Sequence, residues 1–459
     1  MEQGAFEKVS IKERTYSFFD QFVFWFASTS LPAAWYYGAL MAGWQGISGA
    51  LILIFIVSPI SLLPWAFLGK IAQETGGSSM AIVRPAFGIR GAIIPSIFYL
   101  LFGLGWGVVN VFLGAIALSF IFKLWLGLPS YLDPNNLGYM VFYILAVCFL
   151  QGFFAIKGHG GIKKLQWVAT TLFLFLGAYQ TYIVFTSWDA ASLVQWKPTE
   201  ILTTSIGPFT WTLTFALLVD LLIAYNWTWE FIGDFSRFAK TKNAGTWGPF
   251  LGANLAQFWW FLVGAFAVVF LSVTTGQYAP ILADPSSAAV AAGIGWVAAL
   301  IVLFATISTN VGNIYATALG VSNIISHKVN IPLSRLLLWA SIALASLALS
   351  PLLSQEFVGF YIFFLDFLGA IVVPLWVITL VDYFFVRKQK YTDDLFKLNK
   401  GIYWYKDGWN WKAIGVLLAG IAFYWICAYV YVDIRETVTA AIPTAVFVTV
   451  LYLFLSKKK

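Results

Sequence analysis

Charged residues are scarce in this sequence. Aspartate, glutamate, lysine and arginine make up 10% of the 459 residues, whereas hydrophobic residues make up 60% and the mean hydropathy is +0.82. A soluble domain carries about a quarter charged residues. The composition therefore excludes an ordinary soluble protein and indicates a chain that crosses a membrane many times.

Cysteine and histidine are also scarce. The two cysteines, Cys148 and Cys427, lie in apolar stretches, and the two histidines, His159 and His327, lie in predicted loops. This set predicts neither a disulfide framework nor a metal site. The apolar stretches also lack a nucleophile–base pair, which argues against an intramembrane enzyme. The charged N-terminus does not resemble a cleaved signal peptide.

The apolar residues are grouped in about twelve segments, each long enough to cross a bilayer. These segments run approximately over residues 18–43, 46–69, 91–124, 139–156, 165–185, 209–233, 248–274, 289–324, 333–353, 357–386, 411–431 and 437–455. With a cytoplasmic N-terminus, nearly all lysines and arginines fall in cytoplasmic loops, as the positive-inside rule requires. The net charge of +7 therefore reflects topology and not a nucleic-acid-binding surface. We expect a multi-pass protein of the cell (plasma) membrane with both termini in the cytoplasm.

Two segments are interrupted by polar residues. In the first, three hydroxyl residues at 28–30 come shortly before Pro32, which removes a backbone donor and breaks a helix. In the sixth, the run Tyr225–Glu230 is polar and aromatic. Since these segments lie five apart, they are typical of two inverted five-helix repeats whose broken first helices meet at a binding site. An ordinary proline kink is the alternative for the first segment.

This pattern predicts four parts of the chain. They are an N-terminal cytoplasmic segment (1–17), a ten-helix core (18–386, with repeats at about 18–185 and 209–386), a cytoplasmic loop (387–410), and two peripheral helices with a basic tail (411–459).

The eighth segment has too many polar side chains for a lipid-facing helix. Three hydroxyls and two carboxamides lie between Ala305 and Ile314. At helical spacing, Ser308, Thr309 and Asn313 share one small, polar face. Such a face is typical either of a hydrogen-bonded seam between helices or of a wet site for a small polar solute.

The third segment places a tryptophan and an amide on one helical face. Trp106 and Asn110 are four residues apart and project from the same side. A flat heteroaromatic solute would stack on the ring and form hydrogen bonds with the amide through its edge. The alternative is a structural role, because the chain contains 22 tryptophans.

Two carboxylates stand alone in apolar runs, Asp220 in the sixth segment and Asp366 in the tenth. An acid within a membrane-spanning helix indicates a cation ligand or a proton carrier. The alternative is a tether that holds two helices together by hydrogen bonds. Both acids are therefore candidates for coupling transport to an ion.

Several short motifs, in this order and spacing, resemble one transporter family. They are Arg84–Gly88, Gly105–Asn110, Gly233–Phe238, Ser308–Asn310 followed by Asn313–Tyr315, Val381–Arg387, and Gly401–Tyr405 followed by Gly408–Ala413. The family is the nucleobase–cation symporter-1 family of purine, cytosine and hydantoin permeases, and the resemblance extends over essentially the whole chain. The run after Thr309 is more similar to the cytosine-permease branch than to the hydantoin branch.

The resemblance implies an all-α, leucine-transporter-like fold with ten core helices in two inverted repeats, broken helices one and six, and two peripheral helices. It also implies a planar substrate held between aromatic side chains of the third and sixth segments. The candidate substrate-binding residues are Trp106, Asn110, Tyr225, Asn226, Trp227, Asn310 and Asn313. The candidate sodium ligands are Ala27, Ser30, Ala305, Ser308 and Thr309.

Two positions depart from the family pattern. Asn110 stands where relatives often carry a glutamine, and Tyr225–Trp227 replaces the small hydroxyl residues of cytosine-type relatives. These departures imply a pocket of altered shape and argue against assigning cytosine as the substrate.

The predicted function is secondary active import of a nucleobase or related planar heterocycle, such as a purine or cytosine, by symport with sodium. We expect a monomer that is not an enzyme and that needs no cofactor besides the sodium ion. Two alternatives remain open: coupling to protons through Asp220 or Asp366, and a substrate such as a pyrimidine vitamin precursor, hydantoin or allantoin. A channel would need a ring of like charges or carbonyls around a pore, which the sequence does not indicate.

Overall fold

A computed structural model describes residues 8–156, 158–186, 189–198, 202–228, 231–276, 295–325, 333–349 and 357–457 of the protein. Its helices are α1 (Phe18–Thr29), α2 (Pro32–Ile52), α3 (Ser58–Thr75), α4 (Ser79–Ile82), α5 (Arg84–Phe87), α6 (Ile93–Leu126), α7 (Leu137–Ile156), α8 (Gly158–Thr186), α9 (Ala190–Gln195), α10 (Phe215–Trp227), α11 (Ile232–Ser236), α12 (Lys242–Thr275), α13 (Gly295–Ile325), α14 (Leu333–Ala348), α15 (Phe357–Val381), α16 (Trp411–Trp425), α17 (Val432–Val438) and α18 (Ala441–Lys457). Strands β1 (Thr203–Ile206) and β2 (Phe209–Thr212) form an antiparallel hairpin. Single π-helical turns at Leu53–Val57, Asp382–Val386 and Ile426–Val430 join α2 to α3 and extend α15 and α16.

Most of the described helices are apolar. Seven helical stretches are long and apolar enough to cross a membrane, and the pair α17 and α18, bent by 100°, would add an eighth. Three shorter apolar helices lie in α10, α13 and α14. One of the seven stretches, Pro32–Thr75, contains a kink at Gly46, where the first predicted segment gives way to the second. The predicted all-α polytopic fold is confirmed, and the described helices are consistent with about twelve spans.

The first predicted segment breaks where its sequence indicates. α1 ends at Thr29, Leu31 is extended (φ −133°, ψ 152°), and Pro32 lies in the first turn of α2. The hydroxyls of Thr29 and Ser30 donate to backbone carbonyls one turn earlier, at 2.7 Å each. The Phe26 carbonyl also accepts from the backbone amide of Ser30 at 3.2 Å, so these hydroxyl bonds supplement the backbone bonds of the last turn of α1.

The two broken segments lie side by side, so that α1 contacts α11 and α2 contacts α10. At one end, the side-chain amide of Gln21 in α1 donates to the carbonyl of Phe235 in α11 at 2.9 Å. At the other end, Tyr37 of α2 stacks on Tyr225 of α10 with ring centroids 5.4 Å apart, and its hydroxyl donates to the Leu218 carbonyl at 2.7 Å. The two breaks therefore lie next to each other in the core.

The sixth predicted segment begins later than its apolar pattern indicates. The prediction of a helix from residue 209 is wrong, because residues 203–212 form the β hairpin and α10 begins at Phe215. Threonine, isoleucine and the aromatic residues of this stretch favour extended strands. Thr214 then begins α10 by accepting a hydrogen bond from the amide of Leu217 at 3.1 Å.

The long helices pack tightly around the breaks. α12 lies along α1 and α2, α13 lies along α6, and α15 is flanked by α16 and α18. The contact between α12 and α2 depends on two glycines. A Cβ on Gly38 would collide with the backbone of Phe261, and a Cβ on Gly264 with the carbonyl of Trp35. Any side chain at either position would push the two helices apart.

The connections that are predicted to be cytoplasmic meet at one end of the bundle. The N-terminal segment reaches the 387–410 connection through Lys8 and Asp393, whose charged groups are 2.6 Å apart. Arg84 donates to a backbone carbonyl of the same connection at 2.9 Å. Burial lowers the pKa of Arg84 to about 10, so its guanidinium remains a cation near neutral pH. The orientation of this end towards the cytoplasm stays a prediction.

Candidate functional site

Trp106 of α6 lies in an aromatic cluster beside the two breaks. Its ring meets Tyr225 and Phe364 edge to face, with centroids 5.5 Å away in each case, and Tyr361 at 6.3 Å. Trp106 is partly exposed, whereas Tyr225 and Tyr361 are buried. Because Tyr225 contacts the Trp106 ring directly, a planar molecule does not fit between these two rings in this arrangement. A ligand can stack on the exposed part of Trp106.

The orientation of Trp106 is fixed by the end of α10. Its indole N–H donates to the Thr228 hydroxyl at 3.2 Å, and that hydroxyl donates to the Tyr225 carbonyl at 2.9 Å. Thr228 directly follows α10, at the start of the break in the sixth segment. The aromatic ring on α6 is thereby joined to the broken helix.

Asn110 presents a free acceptor one turn away from Trp106. Its side-chain amide nitrogen donates to the Trp106 carbonyl at 2.9 Å, which fixes the orientation of the amide. Its Oδ1 is buried and has no hydrogen-bond partner among the described residues. Buried polar atoms in native proteins are nearly always paired, so this acceptor is available to a hydrogen-bond donor of a ligand or to a water molecule.

Three neighbouring residues of α10 point to different sides. Tyr225 faces Trp106, as described above. Asn226 donates to the Ser61 hydroxyl at 2.6 Å and accepts from Gln257 at 2.8 Å, and the Trp227 indole donates to the Ser61 carbonyl at 2.6 Å. Asn226 and Trp227 therefore lie in the contact of α10 with α3 and α12. That these two residues bind substrate stays a prediction.

The two asparagines of α13 form part of a seam with α6 and α7. The Asn310 amide is buried and donates to the Gly107 carbonyl at 2.9 Å and to Gln151 at 2.7 Å. Its oxygen accepts from Asn313 at 3.3 Å, and Asn313 remains partly exposed. Asn310 thus holds three helices together. A substrate contact of either asparagine stays a prediction.

The candidate sodium ligands lie in two sets. Ala27 and Ser30 border the break after α1, and Ala305, Ser308 and Thr309 lie on α13, where the Thr309 hydroxyl donates to the Ala305 carbonyl at 3.0 Å. Within the part of the chain that the structure describes, no hydrogen bond joins the two sets. Both sets offer neutral hydroxyl and carbonyl oxygens, the ligand type that hard cations prefer.

Asp220 is buried and bound to the start of the last helix. Its two carboxylate oxygens accept from the backbone amides of Ala440 and Ala441 at 2.7 and 2.8 Å. The first amides of a helix lack partners within it and favour a negative charge. This geometry favours a tether between α10 and α18 as the role of Asp220.

Asp366 of α15 lies in a second buried cluster. We call the following five residues the Asp366 cluster: Asp366, Trp211, Tyr424, Tyr429 and Arg435. The carboxylate accepts from Trp211 at 3.3 Å, from Tyr424 at 2.9 Å, from Tyr429, and from the Arg435 guanidinium at 2.5 Å. The two charged side chains are 0% and 4% exposed. The Asp366 cluster therefore joins α15 to the β hairpin, to α16 with its π turn, and to α17.

The residues around Trp106 and in the Asp366 cluster that were not predicted include Thr228, Tyr361 and Arg435. The aromatic residues at 357, 361 and 364 follow helical spacing and indicate an aromatic face on α15. Thr228 carries no sequence signal of its own. A buried acid requires a partner, but nothing in the sequence points from Asp366 to Arg435.

The sequence matches one family of membrane permeases over residues 8–448. That family is described as permeases for cytosine/purines, uracil, thiamine and allantoin. This chain belongs to it. The family predicted from the motifs is confirmed, and the chain is a multi-pass membrane permease of this family.

Relatives of known name are distant in sequence but span most of the chain. The chain is 25% identical over 413 residues to the putative purine-cytosine permease YxlA of Bacillus subtilis (strain 168), covering 85% of this chain and 81% of that protein. It is also 25% identical over 442 residues to the purine-uracil permease NCS1 of Arabidopsis thaliana, covering 89% and 68% of the two chains.

Solved structures share the fold. Mhp1, a nucleobase-cation-symport-1 family transporter, matches in a closed conformation with bromovinylhydantoin bound, with a TM-score of 0.71, 20% identity and coverage of 99% of this chain and 94% of that chain. Its inward-facing conformation matches with a TM-score of 0.76, 21% identity and coverage of 98% and 93%. A Na⁺-coupled sialic acid symporter matches with a TM-score of 0.52, 12% identity and coverage of 96% and 95%. The predicted leucine-transporter-like fold is confirmed.

Proposed function

We propose that this permease imports a nucleobase or a related planar heterocycle by symport with sodium. The observation that carries the substrate class is the partly exposed Trp106 ring, held in place by Thr228, with the free acceptor of Asn110 one turn away. A ring for stacking and a buried acceptor for an N–H group suit a flat, neutral heterocycle.

The choice of sodium is supported by the types of group in the core. Ser308 and Thr309 offer hydroxyls, and Ala27, Ser30 and Ala305 offer backbone carbonyls, so that a monovalent cation can be held by neutral oxygens. Proton coupling needs a titratable group that can gain and lose its proton during transport. The two buried acids that might act in this way are both bound by several protein donors. One solved relative of the same fold is Na⁺-coupled.

Uptake into proteoliposomes tests both parts of the proposal. Radiolabelled hypoxanthine, uracil, cytosine, hydantoin and allantoin are offered under an inward sodium gradient, under an inward proton gradient, and with potassium only. We expect one or more of these compounds to accumulate under the sodium gradient. Sodium should increase substrate affinity, and substrate should increase sodium affinity by the same factor.

Variants on one helix separate the sodium ligands from packing residues. Ser308→Ala combined with Thr309→Ala should abolish the sodium dependence more than it weakens sodium-free binding. Thr306→Ala is the matched control. Like the Thr309 hydroxyl, the Thr306 hydroxyl donates within its own helix, to the Leu303 carbonyl at 2.9 Å, but Thr306 is not a candidate sodium ligand. Uptake that ignores sodium, follows the proton gradient and is lost in Asp220→Asn would establish the proton-coupled alternative instead.

A further inference from the structure

Tyr361 of α15 has a buried hydroxyl that bonds to nothing the structure describes. The residue is 0% exposed, and its Oη has no hydrogen-bond partner among the described residues. Two other buried tyrosines do use this group: Tyr37 donates to the Leu218 carbonyl at 2.7 Å, and Tyr143 donates to the Pro129 carbonyl at 2.8 Å. An unpaired buried hydroxyl lowers stability, so its presence calls for an explanation.

The register of α15 against α6 places this hydroxyl beside the candidate site. Phe357 stacks on Phe112 with centroids 4.4 Å apart, whereas Phe364 lies against Trp106 at 5.5 Å. Tyr361 lies between these two contacts along α15. It therefore faces the turn of α6 that begins at Trp106 and carries the free acceptor of Asn110. The Tyr361 ring itself meets Trp106 with centroids 6.3 Å apart.

We propose that Tyr361 is a specificity-determining residue whose hydroxyl donates a hydrogen bond to a carbonyl oxygen of the bound heterocycle. The Asn110 Oδ1 then accepts from the neighbouring N–H of the same ligand. Together they select a lactam edge, in which N–H and C=O are adjacent. This inference rests on the proposed function and narrows it to neutral oxo-heterocycles that present such an edge.

A protein–ligand double-mutant cycle tests the contact. Binding of hypoxanthine, which has a lactam edge, is compared with binding of purine, which has the same rings without it, in the wild type and in Tyr361→Phe. Uracil and pyrimidine form a second pair. We expect Tyr361→Phe to weaken hypoxanthine or uracil roughly threefold to tenfold and to leave purine or pyrimidine unchanged. A coupling factor near one in both pairs overturns the proposal.

Thermal unfolding distinguishes a ligand contact from a packing role. Removal of an unpaired buried hydroxyl should keep or raise the melting temperature of the ligand-free protein, while the stabilisation by hypoxanthine or uracil falls. Tyr143→Phe is the matched control: it removes a paired hydroxyl on α7 and should lower the melting temperature without changing ligand selectivity.

Further ligands separate the two proposals. 1-Methylhypoxanthine keeps the carbonyl but lacks the N–H, and should bind more weakly than hypoxanthine because the Asn110 acceptor then stays unpaired. If the wild type binds adenine, which has no carbonyl group, and binds neither hypoxanthine nor uracil, the lactam assignment is wrong and the proposed function stands. If it binds none of the heterocycles, the proposed function fails as well.

Discussion

Two groups of buried polar residues lie in the apolar interior, and they differ in how their hydrogen-bonding capacity is used. In the Asp366 cluster, one carboxylate receives four donors, among them the guanidinium of Arg435. Around Trp106 the polar groups are neutral, and both Asn110 and Tyr361 keep an atom without a hydrogen bond among the described residues. In the first region the carboxylate is fully hydrogen-bonded, and among the described residues only the Nε of Arg435 lacks a partner within the cluster. In the second region the atoms without a partner are an amide oxygen and a phenol hydroxyl, both of them neutral.

This difference helps to distinguish structural polar residues from ligand-binding polar residues in membrane-spanning segments. A charge that is removed from water needs its partners within the protein at all times, and those partners hold helices together. A group that must bind and release a ligand cannot be occupied permanently by the protein. The buried acids Asp220 and Asp366 therefore fit structural roles. The amide of Asn110 and the phenol of Tyr361 fit binding roles.

The largest effect on the free energy of unfolding is expected from removing the cation of the Asp366 cluster. Arg435→Met leaves Asp366 as a buried charge without its cation, which should cost about 3–5 kcal/mol of the free energy of unfolding. The double variant Arg435→Met with Asp366→Asn should recover much of this loss. Thermal unfolding in detergent, followed by size-exclusion chromatography, measures both.

A surface ion pair is the matched control. The charged groups of Lys123 and Asp133 are 2.7 Å apart, but the side chains are 47% and 31% exposed, so that Lys123→Met should change stability by no more than about 1 kcal/mol. Equal melting temperatures for Arg435→Met and Lys123→Met would show that the Asp366 cluster does not hold the helices together.

A smaller effect, on binding and not on folding, is expected at the aromatic site. Trp106→Ala should weaken substrate binding by about 1–3 kcal/mol, the range found for base–aromatic stacking, and Trp106→Phe should keep part of that affinity. Equilibrium binding of the best substrate to purified protein gives the values. Unchanged affinity in the alanine variant would show that Trp106 does not bind the substrate, and the unpaired atoms of Asn110 and Tyr361 would then not mark a binding site.

The smallest effect is expected at Thr228, which orients the indole. Thr228→Val removes the acceptor of the Trp106 N–H and should weaken binding by about 0.5–1.5 kcal/mol, whereas Thr228→Ser keeps the hydroxyl and most of the affinity. In a Trp106→Phe background the loss should vanish, because phenylalanine has no N–H to orient. A loss of equal size in both backgrounds would mean that Thr228 acts only through packing of α10.

Local chemistry explains what the sequence could predict. Pro32 and the hydroxyls before it act on their own backbone, so the break after α1 follows from a few adjacent residues. The polar run on α13 likewise indicates a buried, hydrogen-bonded face. The family could be inferred because its motifs are short and keep their order along the chain.

Contacts between distant residues explain what the sequence could not predict. Asp366 meets Arg435 only because α17 folds back onto α15, and helical periodicity does not reveal which helix will cover a given face. For the same reason, Asn226 and Trp227 lie next to Tyr225 in sequence but face α3 and α12. The sequence pattern does not predict the β hairpin before α10, because the aromatic residues of the hairpin are also compatible with an apolar helix.

The positions of the partners of the two acids have a consequence for biosynthesis. Asp220 and Asp366 lie in the core, but Arg435 and the amides of Ala440 and Ala441 leave the ribosome after both acids. A nascent chain therefore inserts both carboxyl groups before Arg435 and the two backbone amides have been synthesised. We therefore expect the helices α16, α17 and α18 to be needed for the stability of the core. A chain that stops after residue 410 should be degraded by membrane quality control instead of accumulating as a ten-helix transporter, which pulse–chase labelling would show.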